Sequence, residues 1–155
     1  MKGNPQVIDT LNALLVDELA ARDQYLAHAR MLQRWGYAKI AARIAHEVED
    51  ETLHADTLIK RILFLEGAPN MTPSSVRIGQ SVVEMFQLDL GVERKVRDNL
   101  ANAIFVCEAA LDYGTRDALM PLLNDTERDH IDWLEQQLGL IQSLGLSLYL
   151  QQQLS

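Results

Sequence analysis

Asp50-Glu51-Thr52-Leu53-His54-Ala55-Asp56 is answered later in the chain by Thr126-Glu127-Arg128-Asp129-His130-Ile131-Asp132. In each stretch a Glu precedes a His by three residues, so on a helix both side chains point the same way, one turn apart. One such pair is ordinary on a helix surface. Here each pair also has a Glu about one helix upstream: Glu18 lies 33 residues before Glu51, and Glu93 lies 34 before Glu127. The chain repeats the order Glu, then Glu-x-x-His, once per helical hairpin. Such a duplication can set its two halves about a pseudo-two-fold axis.

Heptad spacing, nearly two full turns, tests which way these glutamates face. Glu18 falls between Leu11 and Tyr25, Glu51 between Ile44 and Leu58, Glu93 between Phe86 and Leu100, and Glu127 between Met120 and Leu134. All four interrupt apolar or aromatic stripes, so each is predicted to point into a helical core. Four carboxylates in a low-dielectric interior repel and would mostly be protonated unless something neutralises them. Two divalent cations would do so. Four Glu and two His, hard oxygen with borderline nitrogen, suit iron or manganese, with zinc as a competitor.

The rest of the chain supplies the helices. Asn4-Pro5 reads as an N-cap followed by proline in the first turn, and apolar residues at Ile8, Leu11, Leu15 and Leu19 carry a first helix to Trp35, with Gly36 as a left-handed cap. A second helix covers roughly Tyr37 to Glu66 and stops at Gly67, with Pro69 beyond. Pro69, Asn70, Pro73, Ser74 and Ser75 then make a connection too long for a hairpin, which predicts a crossover joining parallel helices. Ser81-Val82-Val83-Glu84 is a capping box, opening a third helix that is expected to end near Tyr113 and Gly114. Thr115 is expected to cap a fourth helix continuing toward Gly139 or Gly145, with a kink at Pro121 or a start later than Thr115. The apolar tail from Leu146 to Leu150 predicts a short fifth helix and an assembly contact. The expectation is an all-α chain forming one domain over residues 1–155.

Composition narrows the function classes. At 48% hydrophobic and 23% charged, the chain reads as an ordinary globular protein, with no run long enough to span a bilayer and no apolar secretory core near its start. A cytoplasmic location follows, and Cys107, alone, agrees with a reducing compartment. The formal net charge of −8 argues against nucleic acid as a partner and favours cations.

Over essentially its whole length the sequence resembles the bacterioferritins, within the ferritin-like superfamily. The residues that carry the likeness are Met1-Lys2-Gly3, Gln24-Tyr25, His28-Ala29-Arg30, His54-Ala55-Asp56, the Arg61-to-Gly67 stretch and the His130-to-Glu135 stretch. The resemblance implies a four-helix bundle with a short fifth helix, assembled as a 24-subunit shell that oxidises Fe(II) with O₂ or H₂O₂ and stores ferric mineral. It implies a di-iron centre in which Glu18 and His54 serve one iron and Glu93 and His130 the other, with Glu51 and Glu127 bridging; one Glu from each of two helices and Glu-x-x-His from each of the other two is the general plan of that superfamily. Tyr25, two turns from Glu18, is either an oxidisable neighbour or a core tyrosine with a hydrogen-bond partner. Thr52 stands where the family's haem-ligating Met falls, so a homo-oligomer is expected to lack haem b, and co-assembly with a Met-bearing subunit is implied for some relatives.

Secondary candidates are fewer. His46 and Asp50 are a candidate accessory iron site, and Asp50 could instead orient the His54 ring. Glu66 and Asp132 are candidate pore residues or plain surface carboxylates. His28 is read as a polar contact, Cys107 as a core residue, and Trp35 and Trp133 as packing anchors. Two other functions compete with this reading. A rubrerythrin-type oxidase or peroxide reductase lacks its Cys-x-x-Cys site here, and a metal-free structural assembly leaves four inward glutamates unexplained.

Overall fold

The computed structural model describes all 155 residues. They form α1 (Pro5–Arg34), α2 (Ala38–Phe64), α3 (Val82–Ala109), α4 (Tyr113–Asp125), a π-helical stretch (Thr126–Ile131), α5 (Asp132–Leu144) and α6 (Leu146–Gln151). The stretch from α4 to α5 is continuous and serves as the fourth helix of a four-helix bundle. No helix is long and apolar enough to cross a membrane.

Local chemistry sets most boundaries. Asn4 Oδ1 accepts from the Gln6 and Val7 amides to start α1, and Gly36 takes φ +91° to end the first hairpin turn. After α2 the left-handed position falls on Glu66 (φ 64°), one residue earlier than the expected Gly67. Gly67 is needed for space instead: a Cβ there would lie 2.7 Å from Ile8 Cγ2. Ser81 caps α3 as predicted, accepting from the Glu84 amide at 3.2 Å, while Glu84 reaches back to the Gln80 amide at 2.7 Å.

Between α3 and α4 the structure departs from expectation. The third helix stops at Ala109, not Tyr113, and Asp112, not Thr115, caps the fourth. Asp112 accepts from the Thr115 amide (2.9 Å) and hydroxyl (2.6 Å), and Arg61 of α2 donates to both residues. Pro121 neither delays the helix nor breaks it. Regular α-helix runs through Asp125, and the departure comes at Thr126, where hydrogen bonding widens to the i→i+5 pattern.

The crossover is anchored along α1. Asn12 bonds Ala68 and Asn70, the Val16 carbonyl accepts from the Ser74 amide, Gln24 from Arg77, and His28 from Gly79. The connection therefore climbs α1 from its start toward its end and delivers α3 parallel to α2. His28 Nδ1 stands 2.9 Å from buried Asp89, so the loop is tied to the core by a satisfied polar pair. At the other end of the chain, α6 folds back on its own subunit. Tyr149 is buried among Leu32, Ile40 and Phe86 and donates to Gln137, while Leu146 and Leu148 stay exposed.

Apolar packing divides into two clusters. One gathers Leu11, Leu15, Leu58, Ile62, Leu100 and Cys107; the other gathers Leu32, Ile44, Phe86, Leu134 and Tyr149. Buried acids and imidazoles lie between them.

Candidate metal centre

The inward stripes deliver five of the residues singled out by spacing to one place. Glu18 and Glu93 are fully buried, and Glu51, His54 and His130 are nearly so. Their ligand atoms form two triads, Glu18–Glu51–His54 and Glu51–Glu93–His130, each within 4.8 Å. Glu51 belongs to both. The His54 and His130 rings stack at 5.8 Å between centroids.

The polar atoms here are close without being satisfied. Both oxygens of Glu18 and of Glu51, Glu93 Oε2 and His54 Nδ1 are buried with no hydrogen-bond partner. His130 Nδ1 lies 3.0 Å from Glu51 Oε1, yet that oxygen receives no hydrogen bond. Orphaned buried oxygens cost on the order of 1–3 kcal/mol each, more when charged, and lone pairs converging on shared points are what cations require. The donor set fits two divalent metals.

Electrostatics without metal say the same. Burial, then Glu51, pushes the Glu18 carboxyl well above its ordinary range. Burial also raises Glu93, against the stabilising His130 and Tyr25. Burial opposes the charge on His54, but Glu18 and Glu51 outweigh it and hold the ring up to about 11. His130 is driven up further, its four carboxylate neighbours Asp50, Glu47, Glu51 and Glu93 outweighing burial. Two imidazolium charges thus stand where two metal charges would.

A sequence model of the ferritin-like domain matches residues 8–144. The chain belongs to that family. It is 54% identical to a bacterial ferritin of Pseudomonas aeruginosa over 99% of this chain and all of the relative, and 53% identical to a bacterial ferritin of Synechocystis over the full length of both. It is 41% identical to a bacterioferritin of Mycolicibacterium paratuberculosis, covering 96% of this chain and 94% of that one.

In this ferritin-family chain Glu127 does not join the others. It lies on the π-helical stretch, 40% exposed, and accepts from Arg97 Nε at 2.9 Å. The wider turn is the cause. Inward positions after Leu122 become Thr126, His130 and Leu134, four apart, so residues three apart no longer share a face. Thr126 takes the inward place and its Oγ1 is left without a partner.

Two acids that spacing did not single out stand beside the group. Glu47 is buried, with Oε2 2.6 Å from His130 Nε2, and Asp125 Oδ2 is 2.8 Å from His54 Nε2. Glu47 was legible, since it continues the inward run of Ile40, Ile44, Glu51 and His54. Asp125 was not, because its own side chain is 37% exposed. Asp50 turns toward His130 (3.3 Å), so the ring of His54 is oriented by Asp125 and not by Asp50. His46 is 3.6 Å from Asp50 but mostly exposed.

Tyr25 is buried and donates to Glu93 Oε1, which places it inside the site. Thr52 is exposed and donates to the Val48 carbonyl. Glu66 pairs with the N-terminal amine, and Asp132 accepts from Gln136. Trp133 packs edge-on to Phe86 and beneath Arg43, whereas Trp35 is 40% exposed at a helix end and anchors little.

Proposed function

We propose that this chain is an iron-storage ferroxidase. It takes Fe(II) as substrate, oxidises it with O₂ or H₂O₂, and deposits ferric mineral inside a shell of 24 copies in the cytoplasm. The observation that carries the proposal is the pair of buried triads sharing Glu51, with six polar atoms of their side chains lacking any partner. A bound iron pair would supply two electrons to the oxidant.

The chain's own part is placement and charge. Glu18 and His54 would hold one metal and Glu93 and His130 the other, with Glu51 shared by both groups. Asp125 steers His54 through its far nitrogen, and His54 and His130 surrender protons as metal enters. Tyr25 is an electron donor in reach: losing an electron, it would pass its phenolic proton to Glu93. Glu127, the sixth ligand implied by the resemblance, would have to leave Arg97 to take part. His46 and Asp50 form an accessory iron stop nearer the surface. With threonine at position 52, a homomeric shell offers haem no thioether from that position, and any haem would come with a Met-bearing partner subunit.

Shell assembly draws support from exposed apolar residues on the helices, among them Leu26, Leu53, Leu63, Phe64 and Phe105. The test is aerobic Fe(II) loading followed by size-exclusion chromatography. A very large, iron-filled particle is expected. A small iron-binding oligomer would instead support an oxidase, and absence of iron uptake would refute metal chemistry altogether.

A further inference from the structure

Away from the metal centre, the crossover, α1 and α3 enclose a cleft of about 380 Å³ that shares no residue with either triad. Its size falls in the range of small-molecule sites. Ala20, Leu88, Val92 and Val96 give it an apolar wall, and Asp17, Arg77 and Lys95 are its charged residues. The crossover side is fixed in place. The Ser74 hydroxyl donates to Asp17 Oδ1 at 2.9 Å, and the Arg77 amide donates to Gln24 Oε1 at 3.2 Å. Gln24 is buried and directs its amide nitrogen to Asp89 at 2.8 Å, so both its polar atoms are engaged.

Charge sets the sign of what this cleft takes. Asp17 is held by three donors: Ser74, Lys95 Nζ at 3.2 Å and Asn99 at 3.0 Å. No carboxylate of the chain pairs with the Arg77 guanidinium, which lines the same cleft. Two cations against one carboxylate leave one positive charge in excess, on a chain whose formal net charge is −8. Such a local reversal favours an anion, and a guanidinium presents paired N–H donors to a carboxylate.

Gly91 is an independent sign. It stands in the interior of α3, where glycine is the least favourable residue after proline. Gly67 and Gly79 are required by close neighbours, since a Cβ there would meet atoms at 2.7 and 2.6 Å, whereas a Cβ on Gly91 would meet nothing within 4 Å. Packing within the chain therefore gives no reason for glycine at this position. Gly91 lines the cleft, and without a side chain it lets a bound molecule lie against the α3 backbone.

We propose that the cleft binds a small amphipathic organic monoanion. Its flat apolar body lies on Ala20, Leu88, Val92 and Val96 and along the bare backbone at Gly91, and its carboxylate meets Arg77, with Lys95 as the second cation. The apolar wall supplies affinity, and the guanidinium selects the sign of the charge.

The test is calorimetric titration of the intact, iron-free assembly with naphthalene-2-carboxylate and with its neutral carboxamide, for the natural chain, Gly91→Leu and Arg77→Gln. One carboxylate per chain is expected to bind, with the carboxamide about tenfold weaker. Gly91→Leu should fill the cleft and abolish binding while helix content, particle size and the rate of Fe(II) oxidation stay unchanged. Arg77→Gln, on the exposed crossover, should weaken the carboxylate about tenfold and leave the carboxamide where it was. Absence of carboxylate binding to the natural chain overturns the proposal, as does equal binding of the two probes. Carboxylate binding undiminished in either variant overturns it too, by placing the probe elsewhere. A Gly91→Leu chain that no longer assembles overturns it in favour of a neighbouring subunit seated in the cleft. Iron oxidation by an assembly that binds neither probe leaves the metal-centre reading standing.

Discussion

Loading metal into this site at neutral pH must expel protons. The perturbation is addition of Zn(II) or Co(II), which cannot be oxidised by air under these conditions, to the metal-free assembly at pH 7. His54 is held up to about 11 by Glu18 and Glu51, four units above the solution pH, so its ring is protonated before metal arrives. At 1.36 kcal/mol per unit, removing that proton at pH 7 costs on the order of 5 kcal/mol. His130, raised further by four carboxylates, carries a second proton. Filling both triads should therefore release at least two protons per chain, and Glu18, raised by burial and by Glu51, can add to that number. The apparent affinity for the pair should rise about 100-fold between pH 6 and pH 7, tenfold per proton released. Calorimetric titrations in two weakly chelating buffers of different ionisation enthalpy count the protons directly. Release of none would refute the picture of imidazolium charges standing in for metal, whatever the affinity turned out to be.

Glu127→Ala should change Co(II) affinity by less than about threefold, because its pair with Arg97 is exposed and solvent-screened and the carboxylate lies outside both triads. Glu93→Ala should abolish binding at the inner His130 triad, and a tenfold or greater loss in Glu127→Ala would show that the side chain swings in. Asp112→Ala removes the cap of α4 and should cost about 0.5–2 kcal/mol in metal-free urea unfolding. Burial works against the Asp112 charge, but hydrogen bonds from Thr115 and the pairing with Arg61 prevail and hold its carboxyl below the usual 3.8. A depressed carboxyl contributes stability above its unfolded value and loses it as pH falls through the folded one. The gap between natural and variant chains should thus be constant down to about pH 5 and narrow below about pH 4; a gap that widened in acid would contradict the assignment.

Repetition and stripe made much of the site legible. Glu18, Glu51, His54 and Glu93 interrupt heptad-spaced apolar runs on helices that stay regular, so counting along the chain predicted their direction correctly. The caps at Asn4 and Ser81 were legible for a related reason: each depends on a side chain and amides within three residues. Asp112, not Thr115, caps the fourth helix through an equally local bond, accepting from the Thr115 amide three residues on, and Arg61, fifty-one residues away, adds a contact that no local pattern encodes. Gly67 looked like a left-handed cap but is required by its closeness to Ile8, again a distant neighbour.

The chain's own order of residues determined the bundle, the crossover and four inward-facing candidate site residues, since amphipathic phase and capping are local properties of regular helices. Where a helix leaves the α-helical period, that counting fails. Only the tertiary structure decided that the π-helical stretch keeps His130 inward and turns Glu127 out to Arg97. A change from i→i+4 to i→i+5 bonding rotates every following side chain, so Thr126, His130 and Leu134 take the inward places that heptad counting gives to others.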